Sequence, residues 1–292
     1  MPDIKYKQKT HLEEKCYVAV WWQFIVAILV FSYFELGYLW SGSDHSAYDS
    51  IDATFAVDHA LPLIPFFIVF YMIGYLFVFL PCFLLRAKSE FFWGVTTFII
   101  MLSVAFLFFK YLPIYMHKTY AFGDDGFSKL TYFQQTADVS YNNCPSLHVA
   151  LNLFSWFVLL HRWPKIFIWL IPLPLLIIVS TLFVKQHLVI DVASGILLGI
   201  LGYIFWRAFV KYLAEYATVG FGICLIFISV IVIMSYRQLS IIGMVVFRFL
   251  QESYRSMPIT SISILFFIIL LFTCWFSWMI FSMLRNKKSP KK

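Results

Sequence analysis

Charged side chains are scarce in this sequence. Asp, Glu, Lys and Arg make up 13% of the 292 residues, whereas hydrophobic residues make up 62% and aromatic residues 21%. A soluble domain carries about 25% charged residues, so this composition excludes an ordinary water-soluble domain and indicates an integral membrane protein. The formal net charge of +7 does not indicate nucleic-acid binding, because the basic residues lie in short clusters between apolar runs, where they act as topology signals.

Patterns that bind metals or form disulfide frameworks are also missing. The five cysteines include no CxxC pair and no metal-site spacing, and four of them lie in or beside apolar runs, where cysteine acts as a small hydrophobe. The sequence therefore predicts neither a metal site nor a disulfide framework. A cleavable signal peptide is not expected, because the first apolar run is too long and lacks a small-x-small cleavage site. We expect that run to be a retained first span.

Long apolar runs are abundant. A transmembrane helix needs about 20 apolar residues to cross about 30 Å of hydrocarbon, and six runs are long enough. A further apolar region is interrupted by HRWPK and is split into spans at 148–162 and 165–184. The predicted fold class is therefore all-α, a polytopic membrane helix bundle with about eight transmembrane helices. The six long runs are 17–40, 61–85, 91–113, 187–210, 217–234 and 262–284.

Basic residues concentrate on one side of the predicted bundle. If the N-terminus lies in the cytoplasm, most of the 22 Lys and Arg residues fall in cytoplasmic segments, and most acids fall on the other side. The positive-inside rule therefore predicts that both termini are cytoplasmic. His148 and His187 then share the extracytoplasmic face, which is periplasmic or lumenal, because two predicted spans separate them.

Three ionisable residues stand out in the otherwise apolar stretch 141–198: His148, His187 and Asp191. Such residues are costly in hydrocarbon unless they face a partner or a cavity, so they indicate a functional site. The i, i+4 spacing of His187 and Asp191 predicts that they share one helix face. A carboxylate that binds one imidazole nitrogen leaves the other as a nucleophile or base. The alternative is a His–Asp pair that only ties helices together.

The segment CPSLH at 144–148 predicts the start of a helix. Pro145 and Ser146 are helix-start residues, and the free N–H groups of a helix N-terminus form a ready anion site. Ser146 offers a further donor, and His148 is placed to protonate a leaving oxygen. A plain helix cap with a buried histidine is the alternative for this motif alone. Together the two motifs supply a nucleophile, an orienting acid, a proton donor and an anion site, which phosphoryl transfer needs when no metal is used.

These motifs resemble those of the type 2 phosphatidic acid phosphatase superfamily, whose pattern is Lys-x6-Arg-Pro, then Pro-Ser-Gly-His, then Ser-Arg-x5-His-x3-Asp. PSLH at 145–148 matches the second motif, and STLFVKQHLVID at 180–191 matches the third with its spacing intact. Leu147 replaces the family glycine, and Thr181 replaces the arginine of the third motif. Both replacements are similar to the branch that includes inositol phosphorylceramide synthases.

The resemblance implies roles for the motif residues. His187 would attack phosphorus and form a phosphohistidine, and Asp191 would orient and charge it. His148 would protonate the leaving alkoxide, and Ser146 would contact phosphate oxygens. The resemblance implies no metal ion and no other cofactor.

The first motif departs most from the family pattern. KYLPIYMHK at 110–118 keeps the lysine spacing, but His117 stands at the arginine position and Lys118 at the proline position. With Thr181 at the third-motif position, neither family arginine is present at its motif position. Arginine grips phosphate with a bidentate fork, whereas lysine offers a point charge. The residues expected to hold the phosphate instead are Lys110, Lys118, Lys185 and Thr181.

The implied domain organisation is a six-helix phosphatase-type core at 17–210, with the motifs in 110–191, followed by two additional spans in 211–284. Within that last region, an apolar piece near 238–250 is too short to span and is expected to be interfacial or re-entrant. The ends are predicted as a cytoplasmic N-terminus at 1–16 and a basic cytoplasmic tail at 285–292.

The expected function is that of an integral-membrane lipid phosphatase, which removes a phosphate from a lipid phosphate without a metal. Its partners are then the phosphorylated lipid and the bilayer. The alternative is a lipid phosphotransferase similar to inositol phosphorylceramide synthase, which passes a phospho-group to an alcohol acceptor. A third possibility is a transporter or an inactive scaffold, although the pseudo-symmetric repeats common in transporters are not visible in the sequence.

Overall fold

The computed structural model describes residues 17–42 and 50–234, and it describes side chains up to residue 226. These residues are mostly helical, as the predicted fold class requires. The exception is a pair of two-residue parallel strands. The predicted N-terminal segment, interfacial piece, last span and basic tail lie outside the described residues, at 1–16, 238–250, 262–284 and 285–292.

The elements in chain order are α1 (Val20–Gly42), β1 (Ile51–Asp52), α2 (Ala56–Ala60), a 3₁₀ turn (Pro65–Phe67), α3 (Ile68–Phe77), α4 (Leu80–Leu84), α5 (Lys88–Tyr111), β2 (Ile114–Tyr115), α6 (Gly126–Ala137), α7 (Leu147–Arg162), α8 (Pro164–Phe167), α9 (Pro172–Phe183), α10 (Val189–Tyr212), a second 3₁₀ turn (Ala214–Tyr216) and α11 (Ala217–Met234).

Four helical stretches in the described part of the chain are long and apolar enough to cross a membrane: α1, the stretch Pro65–Leu84, α5 and α10. Pro65–Leu84 is interrupted between α3 and α4, just before Pro81. Proline has no backbone N–H, and its ring clashes with the carbonyl four residues earlier, which breaks a continuous helix. α7, α9 and α11 coincide with other predicted spans, so the total of eight spans stays a prediction.

The bundle has two chemically different ends. α7 and α10 start at the same end, where the backbone N–H of Ser146 donates to the carbonyl of Asp191 at 3.0 Å. At the opposite end, Arg162 of α7 lies 3.6 Å from the Glu90 carboxylate. Trp206 of α10 donates to the Glu90 carbonyl at 3.1 Å. α7 and α10 therefore run parallel to each other and antiparallel to α5.

Glycines line the contact between α7 and α10. A Cβ on Gly195 would lie 2.6 Å from the carbonyl oxygen of Ser146, and a Cβ on Gly199 would lie 2.8 Å from that of Ala150. Small residues spaced by four allow helix backbones to approach closely in membrane bundles. This glycine seam fixes α10 against the first turns of α7, and it thereby brings the two sequence motifs together.

Aromatic side chains fill the interior beside this seam. Tyr33 of α1 hydrogen-bonds Ser103 of α5 at 2.7 Å, and its ring packs 5.7 Å from that of Phe106. Phe154 and Trp206 are also fully buried, and they belong to the same hydrophobic cluster as Tyr33 and Phe106. Large apolar side chains on the outer helix faces remain exposed, as expected for surfaces that contact lipid rather than water.

Candidate active site

Helix α7 begins as the CPSLH motif predicts. Ser146 is the N-cap, and its hydroxyl oxygen accepts a hydrogen bond from the backbone N–H of Val149 at 3.3 Å. Leu147 and His148 are therefore the first two helical residues. Their backbone N–H groups have no carbonyl within the helix to donate to, because no earlier turn exists. The helix start thus presents donors at the position of His148.

The imidazole of His148 is enclosed by α3. Its ring stacks on the ring of Tyr71 with centroids 4.1 Å apart and planes 2° apart, and Tyr75 meets it edge-on at 5.2 Å. Gly74 lies between the two tyrosines, and a Cβ at that position would overlap Nε2 of His148. Nε2 is buried and has no hydrogen-bond partner within the described residues. Tyr71 and Tyr75, which we call the tyrosine wall, fix the ring plane.

His187 lies just before α10 rather than on it. The helix starts at Val189, so the prediction that His187 and Asp191 share one helix face is wrong. Asp191 instead reaches back over the first turn, and its Oδ2 accepts from the backbone N–H of Leu188 at 2.8 Å. Nδ1 of His187 lies 3.6 Å from the same carboxylate oxygen. Helix capping therefore brings His187 and Asp191 together, but as a 3.6 Å contact rather than as the predicted hydrogen bond.

The turn before α10 holds His187 in place. The Thr181 carbonyl accepts from the backbone N–H groups of Gln186 at 3.0 Å and of His187 at 3.2 Å. Lys185 has a φ of 53°, the left-handed conformation that ends many helices. The Thr181 hydroxyl donates to the Ile178 carbonyl of its own helix at 2.7 Å. Thr181 thus supports the histidine through its backbone.

The two motifs meet at one buried point. Besides the hydrogen bond from Ser146 to Asp191, Cys144 contacts the Ser194 hydroxyl at 3.2 Å. His187 is 8% exposed and Asp191 is fully buried. His148 and His187 are close enough to interact electrostatically. Within the described part of the chain, Nδ1 of His187 and Oδ1 of Asp191 have no hydrogen-bond partner.

Lys118 lies at the same end of the bundle and binds backbone carbonyls. Its Nζ donates to the carbonyls of Gln135 at 2.8 Å and of Asp138 at 2.6 Å, at the C-terminus of α6. Burial lowers the pKa of the Lys118 ammonium, and the Asp138 charge opposes that shift. Lys118 therefore stabilises the end of α6 as a cation near the histidines.

The other two predicted phosphate-binding lysines also have defined contacts. Nζ of Lys185 donates to the Asp58 carbonyl at 2.8 Å, and burial lowers the pKa of this ammonium, with Asp58 opposing the shift. Nζ of Lys110 lies 5.6 Å from the centroid of the Trp40 ring. Both residues lie at the histidine end, but these contacts direct them toward α2 and α1.

A hydrogen-bond network around Asp138 and Gln135 contacts the turn before His187. In the orientation that satisfies its neighbours, the Gln186 amide donates to the Asp138 carboxylate at 2.7 Å. Gln135 donates to the Val184 carbonyl at 2.9 Å. Tyr38 also donates to the Asp138 carboxylate. Sequence reasoning did not identify this network, because its members come from three separate segments.

The tyrosine wall left a weak signal in the sequence. Tyr71, Gly74 and Tyr75 are spaced i, i+3, i+4, which places them on one face of an apolar helix. Two phenols and a glycine on one stripe of a membrane span indicate a face that contacts something polar.

Among the residues that the structure describes, no group of three or more His, Cys, Asp or Glu side chains could hold a metal ion.

A family model described as the PAP2 superfamily matches residues 49–205, which is more than half of the chain. The matched range contains the three motifs, the tyrosine wall and the glycine seam. No curated protein and no solved structure matches the chain.

Proposed function

Because the chain belongs to the PAP2 superfamily, we propose that it is a membrane-embedded enzyme that removes the phosphate from a lipid phosphate. The observation that carries this proposal is the hydrogen bond from Ser146 to the carbonyl of Asp191, 3.0 Å long. It joins the starts of two parallel helices, so His148, His187 and Asp191 are gathered at one buried point. A scaffold without chemistry has no need for three ionisable groups there.

His187 is the proposed nucleophile. Its Nδ1 lies 3.6 Å from Oδ2 of Asp191, so the carboxylate charge favours a proton on that nitrogen, and Nε2 is left with a free lone pair. Nε2 attacks phosphorus, a P–N bond forms, and the P–O bond to the lipid breaks. The positive charge that develops on the imidazole is stabilised by the Asp191 carboxylate, which is fully buried and therefore little screened.

His148 is the proposed acid and then the base. Its Nε2 has no competing partner within the described residues, so it can transfer a proton to the leaving lipid alkoxide. In the second half-reaction, Nε2 takes a proton from water as the water oxygen attacks phosphorus. The P–N bond then breaks, inorganic phosphate leaves, and both histidines return to their starting states.

The phosphate oxygens are proposed to bind at the start of α7. The backbone N–H groups of Leu147 and His148 are free of intrahelical acceptors, and the Ser146 hydroxyl hydrogen remains available because its oxygen accepts from Val149. Lys110 and Lys118 add positive potential at this end. Thr181 contributes by fixing the His187 backbone. We expect no metal ion in this step.

The orientation in the membrane follows from charge. The described basic residues at the end opposite the histidines are Arg86, Lys88, Arg162, Lys165, Arg207 and Lys211. Basic residues flanking spans favour the cytoplasmic side, so the proposed site faces the periplasm or a lumen. Both termini are then cytoplasmic, and the lipid substrate enters from the outer side of the membrane.

A lipid phosphotransferase is the second candidate. His187 is only 8% exposed, and Tyr71 and Tyr75 pack around the neighbouring His148. A shielded nucleophile disfavours attack by bulk water and suits an alcohol that binds before it reacts. Leu147 and Thr181, similar to the inositol phosphorylceramide synthase branch, also favour this candidate.

One assay tests both candidates. Purified protein in mixed micelles with a diacylglycerol phosphate is expected to release inorganic phosphate without added metal, and His187→Ala and His148→Ala are expected to abolish the release. Full activity in both variants would refute the histidine mechanism. Product formation that requires a lipid or polyol alcohol would select the phosphotransferase over the phosphatase.

A further inference from the structure

Asp58 contacts both sides of the turn that carries His187, although it lies 127 residues before Lys185. Its backbone carbonyl accepts from Nζ of Lys185 at 2.8 Å. Its Oδ1 accepts from the backbone N–H of Val189 at 2.8 Å, at the first residue of α10. Lys185 is two residues before His187, and Val189 is two residues after it. Asp58 therefore binds the segment of the proposed nucleophile on both sides of His187.

The carboxylate of Asp58 is well held itself. Its Oδ2 accepts from the backbone N–H of Phe55 at 2.9 Å, and the residue is only 7% exposed. A buried carboxylate with both oxygens hydrogen-bonded keeps a fixed position, because losing either bond leaves a buried polar group unsatisfied. The short helix α2 thus provides a rigid acceptor for the start of α10.

Lys185 occupies a position where glycine is the usual residue. The backbone N–H of Gln186 donates to Thr181 and that of Lys185 donates to Leu182, at 3.0 and 3.1 Å, which is the Schellman ending of a helix. The residue in this left-handed position is normally glycine, because a Cβ is disfavoured there. The lysine side chain adds an anchor that glycine lacks, namely the bond to Asp58.

We propose that Asp58 and Lys185 are positioning residues that fix His187 for attack on phosphorus. This inference rests on the proposed function of His187. It assigns Lys185 to the support of the nucleophile rather than to the phosphate, because its ammonium already binds a backbone carbonyl. Loosening either flank displaces the imidazole from Asp191, 3.6 Å away, while substrate binding at the start of α7 is unaffected.

Lys185→Gly separates positioning from stability. The substitution removes the ammonium anchor, but it also relieves the left-handed strain, so the thermal midpoint stays equal to or above that of wild type. The expected kcat falls about tenfold, because displacements below 1 Å at a reacting group cost up to about a hundredfold. The expected KM stays within about twofold of wild type, because uniform binding is unchanged.

Asp58 offers a matched pair of variants. Asp58→Ala removes both acceptor oxygens, and we expect a fall in kcat of about tenfold. Asp58→Asn keeps one side-chain oxygen for Val189 and the backbone carbonyl for Lys185, so it recovers most of the activity. The double variant of Asp58→Ala with Lys185→Gly should have about the same kcat as either single variant, because the two residues act as one unit.

The experiment measures kcat, KM and the thermal midpoint for these variants in diacylglycerol phosphate micelles. Lys129→Ala is the control, since Lys129 is an exposed lysine at the same end, 3.9 Å from Asp124. A raised KM with an unchanged kcat in Lys185→Gly would overturn the inference in favour of a phosphate contact. An unchanged kcat, or a loss of stability that matches the loss of activity, would also overturn it. Full activity in His187→Ala would instead overturn the proposed function.

Discussion

The glycine seam predicts a large effect from one added methyl group. In Gly195→Ala, the new Cβ would start 2.6 Å from the carbonyl oxygen of Ser146. Carbon–oxygen contacts settle at about 3.3 Å or more, so α10 and the start of α7 must separate by about 0.7 Å. The contacted atom belongs to the backbone of a helix cap, which cannot rotate away as a side chain would. The separation therefore falls on the join between the two motifs.

The stability change in Gly195→Ala is the sum of two opposing terms. Overpacking costs about 1–3 kcal/mol, and replacing glycine by alanine inside a helix returns about 1 kcal/mol. The expected net loss in the free energy of unfolding is therefore between about 0 and 2 kcal/mol. The variant should remain folded, so its activity can be interpreted.

The activity change should be larger than the stability change. Catalytic groups tolerate displacements of about 0.5 Å, and the expected shift of about 0.7 Å separates His148 from His187. We expect kcat to fall between about 10-fold and 100-fold, as measured by phosphate release at saturating lipid phosphate.

Gly222→Ala is the matched control for this substitution. Gly222 lies inside α11, and a Cβ there would meet nothing within 4 Å. The control should gain up to about 1 kcal/mol of helix stability and keep its kcat. If Gly195→Ala matches wild type in kcat, the join between α7 and α10 does not set the catalytic geometry.

Three further predictions follow from the site. Gly74→Ala should lower kcat about tenfold by displacing Nε2 of His148, whereas Gly94→Ala, whose Cβ would meet its nearest neighbour at 3.6 Å, should not. Removal of divalent metal with EDTA should leave phosphate release unchanged, and a rate restored only by added metal would contradict the mechanism. Burial lowers the pKa of Lys118 below 10.5, with Asp138 opposing, so the fold binds fewer protons than the unfolded chain between the lowered pKa and 10.5. The free energy of unfolding should therefore rise with pH across that window, and denaturant titrations should show a smaller rise in Lys118→Met.

The sequence predicted correctly those helix bounds that depend only on nearby residues. Pro145 and Ser146 predicted the start of α7, and apolar length predicted α5 within a few residues of its bounds. These features depend on caps and on hydrophobic length, which lie within a few residues of the element itself. The family resemblance rests on the same local motifs, and the family match confirms it.

The position of His187 shows where a spacing rule fails. An i, i+4 pair is compatible with a helix, but here Asp191 sits in the first turn and accepts from Leu188. An acid in the first turn is also a helix-start signal, and that interpretation would have placed His187 outside the helix. Spacing alone does not distinguish the two arrangements.

Helix α6 was not among the predicted elements, because its polarity is inverted. Its buried positions are Ser128, Thr131 and Gln135, while Phe127 and Tyr132 are more than 40% exposed. A pattern search that expects apolar residues inside interprets such a helix as a loop. The hydrogen bonds that Asp58 accepts from Lys185 and Val189 were also beyond prediction, because they join segments more than 120 residues apart.

The parallel starts of α7 and α10 have an electrical consequence. Each helix carries a macrodipole equivalent to about half a positive charge at its N-terminus. The first N–H groups of α10 donate to the carboxylates of Asp191 and Asp58, so the field at the phosphate position comes from the start of α7. That helix supplies about half a positive charge that has no proton to lose. In a buried site, salt screens such a field much less than it screens a surface lysine. The phosphate affinity of this enzyme should therefore vary little with ionic strength or alkaline pH, unlike that of a site built on exposed cations.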